Sequence, residues 1–194
     1  MEELTQRQQE IVDESIKIIS QKGVQQLTIK NIAKSMRFSE PAIYRHFKNK
    51  MDIMVGIILT FKKNSVVLLQ QVEESDASAL SKIEGIYRNT LQQFTKTPEL
   101  TAILFSEDTF KNEEILSKVV VSLMNRHYDL VTSIIEEGQE RGEINKNASA
   151  DMLTLMVIGS LRLLVTRWKI SKFYFSLVEK GDELMETFKI ILHN

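Results

Sequence analysis

Between Thr28 and Lys50 the chain reads TIKNIAKSMRFSEPAIYRHFKNK, which gathers hydroxyls, cations and an imidazole at spacings suited to phosphate oxygens and base edges. Ile43 and Phe47 stand four apart and claim the buried face of a short helix. That leaves Tyr44 and His46 outward, where a phenol hydroxyl and an imidazole N–H can hold phosphate oxygens. Lys50 opens the next helix, where backbone N–H groups also attract anions, and Thr28 stands at its own helix start. Glu40, Pro41 and Ala42 open the short helix: Glu40 could accept from a cytosine amino group, and Pro41 and Ala42 could touch a thymine methyl. Plainer roles compete. Thr28 could be only a cap, His46 only a packing residue, and Glu40 only a first-turn acid worth about 0.3–1 kcal/mol.

Two helices and a turn must position these groups. Ile29, Ile32 and Ala33 recur at helical spacing ahead of the turn, as Ile43 and Phe47 do after it. Ser39 suits the N-cap of the second helix, and Pro41 is tolerated in a first turn that lacks hydrogen-bond partners anyway. Met36-Arg37-Phe38 is just long enough to reverse the chain. The result is a helix-turn-helix, whose second helix enters the DNA major groove. A preceding helix from about Thr5 to Lys22, with Ile11, Ile16, Ile18 and Ile19 as its apolar stripe and Gly23 at its end, completes a three-helix unit.

Charge distribution agrees. Lys22, Lys30, Lys34, Arg37, Arg45, Lys48 and Lys50 crowd this segment against Glu40 alone, whereas the 194-residue chain carries a net charge of −1. A basic module on an acidic body fits a DNA reader joined to a domain that stays off DNA.

The body is all-α. Strand alternation and hairpin turns are missing from the sequence, and seven Gly with two Pro leave room for long helices. A helix is expected from Lys50 to about Glu74, with Met51, Met54, Ile57, Ile58, Phe61, Leu68 and Val72 inward. A loop follows at Ser75–Ser78, and then a helix from Ala79 to Lys96. Thr97-Pro98-Glu99 reads as a cap, a first-position proline and a first-turn acid for a short helix ending near Glu107. A long helix runs from Asn112 to Arg141 and stops at Gly142. The segment from Ala148 to Lys169 is apolar almost all round, so it should be buried both by its own core and by a second copy of the chain. The last helix starts at Ser176, whose Ser176-x-x-Glu179 pattern matches a capping box, and carries Leu184, Phe188, Ile191 and Leu192. Two such helices meeting their symmetry mates make a four-helix bundle, hence a homodimer. About nine helices result, split as residues 1–50 for the reader and 51–194 for the body.

At Thr28-Ile29-x-x-Ile32-Ala33, Ser39, Ile43-Tyr44-Arg45-His46-Phe47 and Lys50 the chain resembles the tetracycline-repressor (TetR) family. The likeness implies DNA contacts at Thr28, Lys30, Ser39, Glu40, Pro41, Ala42, Tyr44, His46 and Lys50. It also implies a fourth helix that links reader to body, and a body cavity for a small-molecule effector. Residues on the implied cavity helices are Tyr87, Phe94, Phe105, Met124, His127, Tyr128, Arg162 and Trp168, with Phe110 beside them. Aromatic and Met residues at helical spacing equally suit a plain core, and Arg162 needs a partner in so apolar a helix. One departure stands out. The family has a small pair such as Gly-Val before the cap, where this chain has Arg37-Phe38, and a positive φ at Arg37 would cost about 1 kcal/mol.

The expected activity is a dimeric repressor that sits on a palindromic operator, its readers about 34–36 Å apart, until a small molecule releases it. Some relatives act instead as nucleoid-occlusion factors through a cell-division partner, and the Ala42–Phe47 stretch resembles those equally well. An enzyme is disfavoured: the sequence has no phosphate loop, no paired His at ligand spacing and no nucleophile elbow. With no Cys, thiolate metal sites and disulfides are excluded. No metal or cofactor is expected. The absence of a long apolar run and of a signal-like N-terminus points to the cytoplasm, with no membrane association.

Overall fold

A computed structural model of the chain describes residues 4–105 and 114–193, apart from the side chains of Asn64, Ser65, Val67, Leu68 and Ala102. The expected helix end near Glu107, the start at Asn112, Phe110 and the inward side chain of Leu68 lie outside the described residues. Nine α-helices run in order among those residues: α1 (Gln6–Lys22), α2 (Ile29–Met36), α3 (Glu40–Tyr44), α4 (Lys50–Glu73), α5 (Ala79–Lys96), α6 (Leu100–Leu104), α7 (Glu114–Glu140), α8 (Ala150–Ile170) and α9 (Leu177–Leu192). A 3₁₀ turn at Val24–Gln26 joins α1 to α2. The one β-type pairing among them is an isolated antiparallel bridge between Ile144 and His193.

By contacts the chain forms two compact units, Met1–Lys63 with Pro98–Val121, and Asn64–Thr97 with Ser122–Asn194. In the first, α1 buries Ile11, Val12, Ser15, Ile18 and Ile19, while Ile16 is only half-buried, displaced from the stripe by Val12 and Ser15. Ile29, Ile32, Ala33, Ile43, Phe47, Ile53, Met54 and Ile57 add to that core. Gly56 on α4 allows close packing there. A Cβ at this position would meet the Val12 side chain at 2.9 Å and the Phe47 ring at 3.5 Å.

The helix starts explain themselves by capping. Thr5 and Gln8 form a reciprocal box at α1. The α4 start is built likewise: the Asn49 side chain accepts from Asp52 N (2.9 Å) and the Asp52 carboxylate accepts from Lys48 N (3.0 Å). The expected start at Pro98 is displaced. Pro98 lies in a turn whose carbonyl accepts from Thr101 N (3.0 Å), and α6 begins at Leu100.

In the second unit α5, α8 and α9 pack on one another. Tyr87 and Phe188 meet edge to face with centroids 6.4 Å apart. The buried Lys82 ammonium donates to the Glu73 carbonyl at 3.3 Å, and so caps the end of α4. The Glu143 carboxylate accepts from Ala79 N at 2.6 Å and caps the start of α5. The last helix departs from expectation in its stripe. Its buried residues are Leu177, Gly181, Met185, Phe188 and Leu192, whereas Leu184 is half-buried and Ile191 is exposed, because a 3.6-residue period from Phe188 and Leu192 leads to Met185 and Gly181. The apolar circumference of α8 divides as well. Leu153, Val157, Val165 and Trp168 are inward, while Met152, Leu155, Met156 and Leu163 stay exposed on a single chain.

Candidate functional site

The apolar residues of α2 and α3 leave a polar rim around the turn between them. The Thr28 hydroxyl accepts from Asn31 N at 3.1 Å and starts α2 as a cap. Lys30 and Lys34 on α2 are exposed. Arg37 ends α2 in the left-handed conformation (φ 56°, ψ 38°), where glycine is the usual occupant. Two backbone bonds hold it there: Arg37 N donates to Lys34 O (3.3 Å) and Phe38 N to Ala33 O (2.8 Å). The Arg7 guanidinium lies 5.3 Å from the centre of the Phe38 ring, so a cation from α1 braces the turn. Neither Arg7 nor Gln8 was singled out from the sequence. The one signal for Gln8 was the Thr5-x-x-Gln8 spacing of a capping box, and Arg7 had none.

The short helix α3 and the turn after it place their residues as the pattern required, with two corrections. Ser39 occupies the N-cap position but makes no side-chain cap bond; its backbone carbonyl accepts from Ala42 N (2.9 Å), and the residue is exposed. Glu40, Pro41, Tyr44 and Arg45 are exposed, Ala42 is half-buried, and Ile43 is fully buried. His46 is half-buried rather than outward, in a turn that follows α3. Its carbonyl accepts from the Gln8 side chain at 3.0 Å. Lys50 is half-buried at the α4 start. Seven of the nine sequence-chosen residues thus border one stretch from Ser39 to Lys50, and Thr28 and Lys30 belong to the start of α2.

The residues chosen for an effector scatter more widely. Phe105 follows α6 in the first unit, whereas the other seven belong to the second. Phe94 and Trp168 are buried. The Trp168 indole donates to the Phe175 carbonyl at 2.9 Å. Met124 and Arg162 are exposed and meet each other, guanidinium to sulfur, at 3.7 Å. The Tyr128 hydroxyl donates to the Asp151 carboxylate at 2.7 Å, which ties α7 to the start of α8. His127 bonds the Leu123 carbonyl through Nδ1 (3.0 Å), and burial holds its pKa below the ordinary histidine value, helped by Arg126.

Tyr87 differs from all of these. It is 1% exposed, and its hydroxyl has no hydrogen-bond partner among the described residues. Burial pushes its pKa up to about 12. The Ser160 hydroxyl on α8, which donates to the Val157 carbonyl at 2.8 Å, offsets part of that shift.

Among the described residues no group of three or more His, Asp or Glu is placed to hold a metal ion. No helix among them is long and apolar enough to cross a membrane.

Residues 11–57 match the family described as bacterial regulatory proteins, tetR family, and residues 61–194 match the YsiA-like protein C-terminal region. The fatty acid metabolism regulator protein of Bacillus subtilis (strain 168) is 23% identical over 188 residues, 95% of each chain. The nucleoid occlusion factor SlmA of Vibrio campbellii is 23% identical over 180 residues, 92% of each. Two solved structures share the fold. The transcriptional regulator FadR from Bacillus subtilis, in complex with stearoyl-CoA, has a TM-score of 0.79 at 21% identity over 95% of this chain and 99% of that one. The fatty acid degradation regulator FadR from Bacillus halodurans has a TM-score of 0.81 at 18% identity over 97% of both. The chain belongs to the tetR family of bacterial regulatory proteins and is a DNA-binding transcriptional regulator, not an enzyme.

Proposed function

We propose that α3 is the reading element of a dimeric repressor that occupies a palindromic operator until an acyl-CoA-type effector releases it. The observation that carries the reading is the exposed run of Ser39, Glu40, Pro41, Tyr44 and Arg45 beside the buried anchors Ile43 and Phe47. On this reading Glu40, Pro41 and Ala42 meet base edges. Thr28, Lys30, Ser39, Tyr44, His46 and Lys50 meet phosphates or the bases beside them. Residues 1–50 are the reader in this scheme and residues 51–194 answer to the effector and the partner copy.

Dimerisation is supported by the exposed Met152, Leu155, Met156 and Leu163 of α8 with Ile190 and Ile191 of α9, apolar surface that a monomer would leave in water. The effector class is supported by the whole-length likeness to the Bacillus subtilis fatty acid metabolism regulator protein and to the solved structure of Bacillus subtilis FadR in complex with stearoyl-CoA. The orphaned Tyr87 hydroxyl supplies a polar group for such a ligand's thioester end. The nucleoid-occlusion alternative is less well supported, because the match of residues 61–194 is to the YsiA-like region. A family member of this kind works in the cytoplasm.

Selection of bound duplexes from a random DNA pool tests the proposal. A palindromic winner, released on addition of stearoyl-CoA, supports it. Enrichment of no palindrome, or affinity indifferent to long-chain acyl-CoA, overturns the corresponding part.

A further inference from the structure

The connection between α8 and α9 is unlike the rest of this acidic body. From Met152 to Val178 the chain holds four cations, Arg162, Arg167, Lys169 and Lys172, and no Asp or Glu. Within it, Ile170 is 76% exposed and Tyr174 92% exposed, and Phe173 is half in water. Among the described residues neither Arg167 nor Lys172 has an acidic partner.

The corner is built, not loose. Lys172 and Phe173 both take left-handed backbone conformations (φ 55° and 64°), which side-chain-bearing residues adopt only where the surroundings impose it. Phe173 N donates to the Trp168 carbonyl (2.9 Å), and Lys172 N to the Lys169 carbonyl (3.1 Å). The Ser171 hydroxyl also donates to the Trp168 carbonyl (2.9 Å), while the Trp168 indole reaches forward to Phe175 O (2.9 Å). The Phe173 ring stands edge-on to Trp168 with centroids 4.5 Å apart. Strained backbone, a locked aromatic pair and two uncompensated cations converge on one short stretch.

We propose that the Arg167–Phe175 corner binds a phosphorylated adenine nucleotide, the chemistry of a coenzyme A head. The proposal rests on the acyl-CoA reading above and adds to it a site for the polar end of the effector. Arg167 and Lys172 supply charge for phosphate oxygens, and the Arg fork suits them in pairs. Tyr174 offers an aromatic face on which a purine stacks. A lipid surface fits less well, since membrane-seeking aromatics line the apolar side of an amphipathic helix, whereas these stand in a tight turn.

Trp168 is the sole tryptophan of the chain, so its emission reports on the corner directly. The full-length protein is titrated with adenosine 3′,5′-bisphosphate and with coenzyme A, and in parallel with inorganic phosphate, single-stranded DNA and phosphatidylglycerol vesicles. The expected result is a saturable change in Trp168 emission with both nucleotides. It should weaken about tenfold or more when two charge-assisted contacts go in Arg167→Ala/Lys172→Ala. It should weaken in Tyr174→Ala too, with operator binding of the effector-free protein unchanged in all. A response to phosphate, DNA or vesicles without one to the nucleotides overturns the proposal, as does nucleotide affinity that survives the double substitution. The two readings separate cleanly. If stearoyl-CoA releases DNA from wild type and double variant alike, the effector stands and the corner fails. If the nucleotides bind the corner but stearoyl-CoA releases no DNA, the corner stands and the effector reading fails.

Discussion

The Gln8 side-chain amide faces two ways: its oxygen accepts from Thr5 N at 2.9 Å, and its nitrogen donates to the His46 carbonyl at 3.0 Å. One residue of α1 therefore starts its own helix and holds the turn that ends α3. Since phosphate contacts set register without reading sequence, a loosened His46 should hurt every site equally. Gln8→Leu should lower DNA affinity several-fold regardless of sequence, at a stability loss of about 1 kcal/mol. Affinity unchanged in a binding titration would remove Gln8 from the positioning of α3.

Arg37 pays for its left-handed backbone. Arg37→Gly should raise unfolding free energy by about 1 kcal/mol, because glycine meets no steric penalty at φ 56°. Arg37→Val, with a β-branched side chain at the same φ, should lower it. Urea melts of the three proteins give the order Gly, Arg, Val; a Val variant as stable as the parent would show that the turn relaxes.

Glu40 and Lys50 should fail differently. Glu40→Ala should relax the preference at one base pair per half-site, a loss of about 1–3 kcal/mol of discrimination. Lys50→Ala should weaken all duplexes alike and reduce the salt slope by about 0.9 log units per reader. Measurement across salt on matched and mismatched operators separates the two, and a Lys50→Ala slope equal to wild type would count against a phosphate contact.

Tyr87→Phe should stabilise the effector-free protein by about 1 kcal/mol, since it removes a buried hydroxyl with no close hydrogen bond among the described residues. The same change should weaken release by stearoyl-CoA if that oxygen meets the ligand. The pH dependence follows. The folded state keeps the phenol proton to about 12 while the unfolded chain releases it near 10.0, so stability falls as pH rises through that window. The Phe variant should lack that component of the fall, and denaturant melts from pH 9 upward would show its persistence if the assignment is wrong.

His127 acts at the other end of the scale. Burial holds its folded pKa below the 6.5 of the unfolded chain, so the unfolded state takes up the proton first and stability falls as pH drops below that value. His127→Gln should flatten the stability profile just under pH 6.5. An unchanged profile would place the acid sensitivity elsewhere.

Much of the reader was legible because its information is local. Helical spacing of Ile29, Ile32, Ala33, Ile43 and Phe47 defined which side faced the core and left Tyr44 outward, whereas His46, in the turn after α3, is half-buried. Gly23 marked the end of α1 and Ser176 the start of α9. The body was less legible at the level of side chains. Met124 and Phe94 look alike in a hydrophobic pattern, yet one is exposed and the other buried. The misplaced stripe of α9 has the same origin: Leu184 and Met185 are adjacent and both apolar, so pattern alone left its phase ambiguous.

What the amino-acid sequence determined by itself was the all-α class, the helix-turn-helix and the position of its turn, since periodicity, caps and charge are carried by near neighbours along the chain. Only the tertiary structure decided which groups meet across it: Gln8 with His46, Arg7 with Phe38, Lys82 with the end of α4, and Tyr87 edge-on to Phe188. The reason is physical. A hydrogen bond or its absence depends on distances of a few tenths of an ångström between residues far apart in sequence, and no residue type encodes its distant neighbour.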